Sequence, residues 1–272
     1  MTSTKPHHPI RIALPGGAGR MGRMITRLIA EDHQLALVAS SDLPQAKDIG
    51  QDLGLINHMP EMGVVLSDDP KALFDASPQV LIDFTSPSAT LQHTQMATQH
   101  GTAMVIGTTG LSAADREVIA DFAKTIPIVL CANTSVGVTL LAQLVEQVAK
   151  QLTDGWDIEI TETHHKHKID APSGTALALG HAAAKGRGVS LDAAASIDRN
   201  GARRDGDIGF AVMRGGDVAG EHSVIFYGDS ERIELTHRAN DRVIFARGAL
   251  RAARWISHQP AGLYSMDDVL KA

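Results

Sequence analysis

The sequence predicts an α/β protein in which a doubly wound parallel sheet is followed by an α+β C-terminal domain with an open mixed sheet. Two observations carry this prediction. In the first half of the chain, short apolar runs alternate with segments of helical periodicity. After about residue 152 the pattern changes, and most of the strand-like runs follow one another without a helix between them.

The first half is predicted as a series of strand–helix units. Residues 10–14 (IRIAL) form the first strand, and the helix that follows a glycine cluster places Met21, Ile25 and Ile29 at helical spacing. Later strands are predicted in QLALVAS, GVVLSDD, QVLIDFTSP, AMVIGTTG and IPIVLCANTS. Later helices are predicted in DPKALFDA, ATLQHTQMATQHG, AADREVIADFAK and VTLLAQLVEQVAKQL. Continuous apolar strands are typical of parallel sheets that helices cover on both faces, so this half is predicted to be doubly wound.

The second half begins with a strand that has one solvated side. In WDIEITET, the apolar residues Trp156, Ile158 and Ile160 alternate with polar ones. A helix over 174–185 and a long flexible loop, SIDRNGARRDGDIG, are predicted next. Three strands in a row, IGFAVMRG, HSVIFYG and RIELTHRA, precede a last amphipathic helix, VIFARGALRAARWIS. An open sheet with a helix on only one face leaves apolar surface exposed, so we expect self-association to cover it.

Composition favours small-molecule chemistry in a reducing compartment. The 272-residue chain has a formal charge of −6 and no basic block beyond residues 164–168, which argues against nucleic acid or an anionic membrane as a partner. A single cysteine, Cys131, excludes an internal disulfide framework. The first ten residues lack the apolar core of a signal peptide, and no apolar run is long enough for a membrane span. We therefore expect a cytoplasmic protein.

The glycine cluster has the pattern of a dinucleotide-binding loop. Gly17, Gly19 and Gly22 form a GxGxxG between the first strand and the first helix, with Gly16 before them, as in Rossmann-like domains. The glycines allow a tight turn and a close approach of the backbone to a pyrophosphate at a helix N-terminus. A glycine-rich turn without a ligand is the alternative. Arg20 either caps a phosphate or is solvated.

The second strand ends near an acidic residue that suits a cofactor ribose. Asp42 lies about 20 residues beyond the last glycine, where an acid usually accepts the ribose hydroxyls. Its charge disfavours a 2′-phosphate, whereas Ser40, Ser41 and Lys47 soften that effect. The residues alone therefore leave NADH and NADPH both open.

Two other strand ends carry small polar residues. They are Gly107-Thr108-Thr109 and Ala132-Asn133-Thr134. Ligands of open α/β sheets bind outside the carboxyl ends of the strands, so both loops are expected to line the same crevice. Either loop alone is equally well explained as an ordinary connection.

The segment EITETHHKHKIDAPSGTA joins a basic run to a helix start. Ser173 is the predicted N-cap, so the amides of Gly174 and Thr175 lie at the positive end of a helix and suit a carboxylate. In the basic run at 164–168, neighbouring cations lower one another's pKa, which favours proton donation near neutral pH. A solvated loop and a histidine metal site are the alternatives, and the two lysines of the run would repel a metal cation.

This segment closely resembles the signature of the dihydrodipicolinate reductase family. GGAGRMGR, VLIDFTSP, MVIGTTG, ANTSVGV, GFAVMRGGDVAGEH and LTHRANDR also resemble that family, in its order, over nearly the whole chain. The resemblance implies hydride transfer from NADH or NADPH to dehydrated 4-hydroxy-tetrahydrodipicolinate, a cyclic imine with two carboxylates. The product would be tetrahydrodipicolinate, an intermediate of lysine and diaminopimelate synthesis.

The resemblance also implies roles for individual residues. His164 would donate or accept a proton and Lys168 would be a second proton donor. His165 would touch the substrate, Gly174 and Thr175 would bind a carboxylate, and Arg242 is a weaker substrate candidate. The implied cofactor contacts are Gly16, Gly17, Ala18, Gly19, Arg20, Met21, Gly107, Thr108, Thr109, Cys131, Ala132, Asn133 and Thr134.

At the level of the whole chain, the resemblance implies a dinucleotide-binding domain of residues 1–134 and 241–272. Residues 135–240 would bind the substrate and form a homotetramer through their sheet, with hinges near 134 and 241 that let the domains close. Members often have an acid followed by arginine where this chain has SSD, and this departure favours NADH. A second departure is Thr134, which stands where an aromatic residue is common.

Two rival functions share part of this pattern. Another Rossmann-like reductase of an amino-acid derivative would keep the glycine loop but would not need the run HHKHK. A non-catalytic NADH or NADPH sensor would bind the cofactor without consuming it. Substrate-dependent oxidation of the cofactor distinguishes both rivals from the reductase that the resemblance implies.

Overall fold

The computed structural model describes residues 8–198 and 200–271, which form two compact units. The first unit runs to Thr134 and resumes at Phe245, and the second comprises Ser135–Ile244. The predicted start of the returning segment, residue 241, lies shortly before the helix that begins at Val243. The N-terminal segment that lacks a signal-peptide core includes residues 1–7, and the predicted loop SIDRNGARRDGDIG includes Arg199. These positions lie outside the described residues.

The first unit is built from alternating strands and helices. In chain order they are β1 (Ile10–Pro15), α1 (Arg20–Ala30), β2 (Leu35–Ser41), α2 (Leu53–Ile56), β3 (Leu66–Ser67), α3 (Ala72–Asp75), β4 (Val80–Asp83), α4 (Pro87–His100), β5 (Ala103–Ile106), α5 (Ala113–Phe122) and β6 (Pro127–Leu130). Neighbouring strands of this unit pair in parallel. The predicted doubly wound parallel sheet is therefore confirmed.

The second unit contains most of the next elements. They are α6 (Val136–Gln151), β7 (Asp157–His164), α7 (Gly174–Arg187), α8 (Leu191–Ala194), β8 (Ala195–Ser196), β9 (Ile208–Arg214), β10 (Gly220–Tyr227) and β11 (Arg232–Ala239). The chain then passes through α9 (Val243–Ile256) back to the first unit, where β12 (Gly262–Tyr264) and α10 (Met266–Leu270) follow.

The strand order of the first sheet is β12-β6-β5-β4-β1-β2-β3. Every residue of β4 and β5 is buried, as expected for central strands with both faces covered. Two predicted elements are shorter than expected. Strand β3, at the edge of the sheet, spans only Leu66–Ser67, and α3, which packs against β2 and β1, spans only Ala72–Asp75. The edge strand β12 and helix α10 were not predicted, since neither has a periodic pattern long enough to recognise.

The second sheet is mixed, with the order β11-β10-β7-β9-β8. Strand β7 pairs with β9 in parallel and with β10 in the antiparallel direction, which confirms the open mixed sheet. Its alternation is also confirmed, since Ile158 and Ile160 are fully buried and pack with residues of α6 and α7. The alternation continues beyond the apolar residues, so that Glu162 and His164 are buried on the same face.

Helix ends follow recognisable local signals. Ser112 caps α5 in a reciprocal capping box with Asp115, and Ser135 accepts the amide of Val138 at the start of α6. Gly101 and Gly188 end α4 and α7 with positive φ angles, a conformation that favours glycine. Within the described ranges, none of the helices has the length and apolar character needed to cross a bilayer.

Candidate active site

The glycine loop between β1 and α1 turns tightly around its own backbone. Gly16 has a φ of 73°, and its carbonyl accepts the amide of Gly19 at 3.0 Å. A Cβ atom on Gly17 would lie 2.1 Å from Oγ of Ser40, and one on Gly22 would lie 2.2 Å from the carbonyl oxygen of Gly16. Because Gly17 has no side chain, the loop can lie directly against Ser40 of β2. Because Gly22 has none, α1 can pack directly against the loop.

This loop suits a phosphate group. Gly19 is the N-cap of α1 and has no side chain to accept hydrogen bonds from the first-turn amides. Those amides lie at the positive end of the helix dipole and can therefore donate to a bound anion. Arg20, the first residue of α1, is exposed beside them.

Asp42 connects the end of β2 to the glycine loop. Its Oδ2 accepts the amide of Ala18 at 3.0 Å, and its Oδ1 accepts the amide of Leu43 at 2.8 Å. The carboxylate is half-buried and is fixed between these two amides. It is therefore held in place before any ribose binds.

A cavity of about 640 Å³ lies next to the glycine loop in the first unit. Five of the predicted cofactor residues line it, namely Gly16, Gly19, Arg20, Met21 and Asp42. Its wall also includes residues that the sequence analysis did not single out as ligands, namely Leu43, Pro44, Phe84, Thr85 and Ser86. Cavities of this size and mainly apolar lining are typical of cofactor sites.

The missed residues Phe84, Thr85 and Ser86 follow β4, whose carboxyl end they extend. The sequence contains a pattern that could have identified them. VLIDFTSP is an apolar strand followed by small polar residues, like the strand ends at 107–109 and 132–134. The ring of Phe84 also restricts which residue can occupy position 107 in a neighbouring loop, since a Cβ on Gly107 would lie 2.1 Å from this ring. Gly107 is thus needed for the loop after β5 to pass over the ring.

In the loops after β5 and β6, several predicted cofactor residues point their side chains into the protein interior. The hydroxyl of Thr108 lies 2.7 Å from that of Thr90 and is buried. The hydroxyl of Thr134 donates to the carbonyl of Phe245 at 2.7 Å, beneath α9. Burial raises the pKa of the Cys131 thiol to about 12. At Thr108 and Thr134 the hydroxyl is already bonded within the protein, so the backbone is the part that can serve a ligand. Cys131 is half-buried, and Thr109 and Ala132 are exposed.

In the second unit, His164 is the last residue of β7 rather than part of a loop. Its side chain is buried, and its Nδ1 forms a hydrogen bond with Oε2 of Glu162. Its ring makes an edge contact with His222 of β10, with centroids 5.0 Å apart. Burial lowers the pKa of His164, Glu162 opposes this effect, and the positive charges of Lys168 and Arg214 add to it.

Glu162 is a centre of the site that the sequence analysis missed. It is 1% exposed, and Arg214 of β9 donates to both of its oxygens, at 2.9 and 3.0 Å. Burial acts to raise its pKa, but hydrogen bonds from Arg214, the Ser173 amide and His164 outweigh burial and lower it. The signal was the alternation of β7, which places residue 162 on the same face as Ile158 and Ile160.

The start of α7 is tied to the same carboxylate. The amide of Ser173 donates to Oε1 of Glu162 at 2.9 Å, and the Ser173 hydroxyl accepts the amide of Ala176. Ser173 is therefore the N-cap, as predicted. The next two residues, Gly174 and Thr175, form the exposed and half-buried beginning of the helix, where a ligand carboxylate is favoured.

The remaining basic residues are separated by their surroundings. Lys168 donates to Asp170 at 2.8 Å, so its nearest charged partner is an acid and not another cation. His165 lies 3.1 Å from a guanidinium nitrogen of Arg242, which brings these two predicted substrate residues together. Partial desolvation and the charge of Arg242 lower the pKa of His165. Lys166 and His167 are exposed.

Ligand atoms of Glu162, His164 and His222 lie close enough to one another to hold a metal ion. The charges around them do not suit one. Arg214 already binds both oxygens of Glu162, and its guanidinium would repel a cation at the same carboxylate. The donor set therefore fits a histidine held by an acid better than a metal centre.

Family models match almost the whole chain. The dihydrodipicolinate reductase N-terminus model matches residues 10–134, and the corresponding C-terminus model matches residues 137–270. The chain is 52% identical over 264 residues to the 4-hydroxy-tetrahydrodipicolinate reductase of Rhodopseudomonas palustris strain BisA53, with 96% of each chain covered. It is 50% identical to the enzyme of the same name from Afipia carboxidovorans, with 96% of this chain and 97% of the relative covered.

Solved structures show a shared fold. A dipicolinate-bound dihydrodipicolinate reductase from Paenisporosarcina sp. TG-14 superposes with a TM-score of 0.77 at 24% identity, covering 94% of this chain and 97% of that one. An amine dehydrogenase from Mycobacterium smegmatis superposes with a TM-score of 0.61 at 13% identity, covering 96% of both chains. At these identities the two likenesses concern the architecture alone.

Proposed function

Because the chain belongs to the dihydrodipicolinate reductase family, we propose that it is a 4-hydroxy-tetrahydrodipicolinate reductase that uses a reduced nicotinamide cofactor. The observation that carries the proposal is the grouping of a buried acid-paired histidine, a lysine and a capped helix start in the second unit. His164, Lys168 and Ser173 provide these features. They offer a proton and an anion-binding position to a substrate that carries two carboxylates.

The first unit is the proposed cofactor-binding domain. Gly16 to Met21 would hold the pyrophosphate, because the loop presents backbone amides at the start of α1. Asp42 would bind the ribose hydroxyls. The backbones of Gly107 to Thr109 and of Cys131 to Thr134 would contact the cofactor from the neighbouring strand ends. When bound, the nicotinamide supplies the hydride that the substrate ring accepts.

The second unit is the proposed substrate-binding domain. Gly174 and Thr175 would bind one carboxylate, and His165 with Arg242 would contact the remainder of the ring. A helix end alone contributes about 0.3–2 kcal/mol, so cationic side chains are needed beside it. Hydride addition leaves electron density on a ring carbon, which must take up a proton. His164 would donate or accept this proton, with Lys168 as the second donor, and such groups accelerate reactions roughly 10²- to 10⁴-fold.

We further propose a preference for NADH. Asp42 lines the cofactor cavity as a fixed carboxylate, and its charge opposes a 2′-phosphate. Beside it in the sequence are Ser41 and Leu43, where an arginine could have bound that phosphate. Arg20 is the cation that lines this cavity in the described part of the chain. NADPH should therefore bind, but less well than NADH.

We also propose that the chain forms a homotetramer through the second sheet. Helices α6 and α7 cover one face of that sheet, while the other face exposes Met213 of β9 and Tyr227 of β10. Sedimentation of the purified protein should give four chain masses, and a monomer would contradict this proposal. A cytoplasmic location and the lack of nucleic-acid or membrane partners stay predictions from composition.

One experiment tests the activity and the cofactor preference together. Freshly prepared 4-hydroxy-tetrahydrodipicolinate is added to the protein with NADH or with NADPH, and the loss of cofactor absorbance is followed. We expect substrate-dependent oxidation of both cofactors, faster with NADH at equal low concentration. Cofactor binding without oxidation would identify a sensor. Oxidation only with another amino-acid derivative would identify a different reductase.

A further inference from the structure

Glu162 holds three separate parts of the second unit at once. Its Oε1 accepts the amide of Ser173 at 2.9 Å and one nitrogen of Arg214 at 3.0 Å. Its Oε2 accepts Nδ1 of His164 and the other terminal nitrogen of Arg214, the latter at 2.9 Å. The carboxylate thus joins the end of β7, the end of β9 and the start of α7.

We propose that Glu162 and Arg214 form a charge-neutral positioning pair, which fixes the tautomer of His164 and holds the start of α7 ready for an anionic ligand. Neither residue needs to touch the substrate for this role. The inference rests on the proposed function for its catalytic meaning. The fixed tautomer and the held helix start are properties of the protein without any ligand.

The tautomer follows from the protonation state of Glu162. An ionised carboxylate can only accept hydrogen bonds, so Nδ1 of His164 must carry a hydrogen. Arg214 and the Ser173 amide keep the carboxylate ionised despite its burial, because both donate to it. Nε2 of His164 is then the nitrogen that exchanges a proton with a ligand.

The pair also removes an electrostatic obstacle at α7. A lone carboxylate beside a helix N-terminus would satisfy the helix dipole and repel a second anion. Arg214 neutralises Glu162 with two parallel hydrogen bonds, the geometry in which arginine binds carboxylates most strongly. The helix start therefore keeps its attraction for a ligand carboxylate.

Other charged groups near His164 do not replace this pair. Lys168 faces it from the following loop, Arg214 from β9, and His222 from β10. Each of these is a cation or a base and cannot accept from Nδ1 in its charged form. Among the described residues whose ionisable groups face His164, Glu162 is the acid.

The first test measures the tautomer of His164 in the free protein. Histidine labelled with nitrogen-15 distinguishes the two tautomers by chemical shift, and the His164→Gln spectrum identifies the signals. We expect hydrogen on Nδ1 in the wild-type protein. In Glu162→Gln we expect the Nδ1–H population and the pKa of His164 both to fall. The glutamine side chain has no negative charge, and its NH2 group is a donor where the carboxylate of Glu162 only accepted.

A matched control is available on the same strand. Glu159 also pairs with an arginine, since its Oε1 lies 3.2 Å from Nε of Arg203, but it lies on the opposite face of β7. Glu159→Gln should leave the His164 signals unchanged. A wild-type His164 with its hydrogen on Nε2 would overturn the proposal even if Glu162→Gln failed to fold. So would a folded Glu162→Gln protein with unchanged His164 signals.

The second test separates binding from turnover. Glu162→Gln leaves Arg214 as a net positive charge, so kcat should fall by roughly 10- to 100-fold while the KM for substrate does not rise. Arg214→Gln leaves the Glu162 charge beside α7, so KM should rise roughly tenfold. A rise in KM in both variants would indicate general damage and contradict the pair. If the wild-type protein does not turn over the substrate but the tautomer result holds, the proposed function fails and the positioning role stands.

Discussion

Nδ1 of His93 lies 2.8 Å from Oδ2 of Asp83, and both side chains are buried at the carboxyl end of β4. The other oxygen of Asp83 accepts the amide and the hydroxyl of Thr85, at 2.8 and 2.6 Å, and lies 3.4 Å from the hydroxyl of Thr108. One buried acid therefore connects α4 to two loops after the central strands. Thr85 lines the proposed cofactor cavity, so the network reaches its wall.

Removing this acid should destabilise the first unit. Asp83→Ala leaves the buried His93 and the half-buried donors of Thr85 without their acceptor, which we expect to cost about 2–5 kcal/mol in the free energy of unfolding. Urea denaturation measures the loss. Asp121→Ala is the control, because Asp121 is paired with Lys124 on the surface and should change stability little. Equal effects of the two substitutions would contradict a structural role for the network.

Gly17→Ala should damage the glycine loop by overpacking. The new Cβ would lie 2.1 Å from Oγ of Ser40, and we expect a loss of roughly 1–3 kcal/mol in stability together with weaker NADH binding. The double variant with Ser40→Ala removes the clashing oxygen and should recover part of both losses. Additive effects in this double-mutant cycle would show that the contact between residue 17 and Oγ of Ser40 is not the cause of the losses.

Lys168→Ala should lower turnover by roughly 10²-fold or more while NADH affinity stays nearly unchanged, because a proton donor is lost but the cofactor loop is not touched. Steady-state rates and NADH titration measure the two effects. Lys166→Ala is the matched control from the same basic run, and its exposed side chain should leave both quantities as they are. Undiminished turnover in Lys168→Ala would rule out the proposed second donor.

Asp42→Asn should weaken the preference for NADH. The amide keeps an acceptor for the Ala18 amide but removes the charge that opposes a 2′-phosphate. We expect the ratio of kcat/KM for NADH to that for NADPH to fall roughly tenfold. Asp75→Asn, on the exposed side of α3, should leave the ratio unchanged. A constant ratio in Asp42→Asn would place cofactor selection elsewhere.

His222 should make stability depend on pH in the acid range. Burial, with the positive charge that His164 carries when protonated, lowers the pKa of His222 from 6.5 to about 4. The unfolded chain then binds more protons than the folded one between these values, so stability is lost as pH falls from about 6.5 to about 4. The full loss corresponds to roughly 3 kcal/mol.

Urea denaturation across that range tests the assignment. His222→Gln should lose less stability on acidification than the wild-type protein, whereas His258→Gln, which changes an exposed histidine, should keep the wild-type pH dependence. An unaltered acid slope in His222→Gln would show that another group carries the effect.

Short stretches of the sequence determined the first sheet, the glycine loop and the start of α7. The continuous apolar runs determined the parallel sheet, because strands covered on both faces have no polar side to display. The glycines at 16, 17, 19 and 22 determined the loop between β1 and α1, because side chains at Gly17 and Gly22 would collide with Ser40 and Gly16. Ser173 was recognisable as a helix cap from its neighbours alone.

The composition of the site was decided by contacts between residues far apart in the chain. Five basic residues in a row suggested one cationic cluster, but strand alternation buries His164 beside Glu162, whereas Lys168 turns to Asp170. Arg214 reaches Glu162 because β9 pairs in parallel with β7, which sets His164 opposite Arg214. A strand register of this kind depends on the packing of the whole sheet, and no short stretch of sequence contains it.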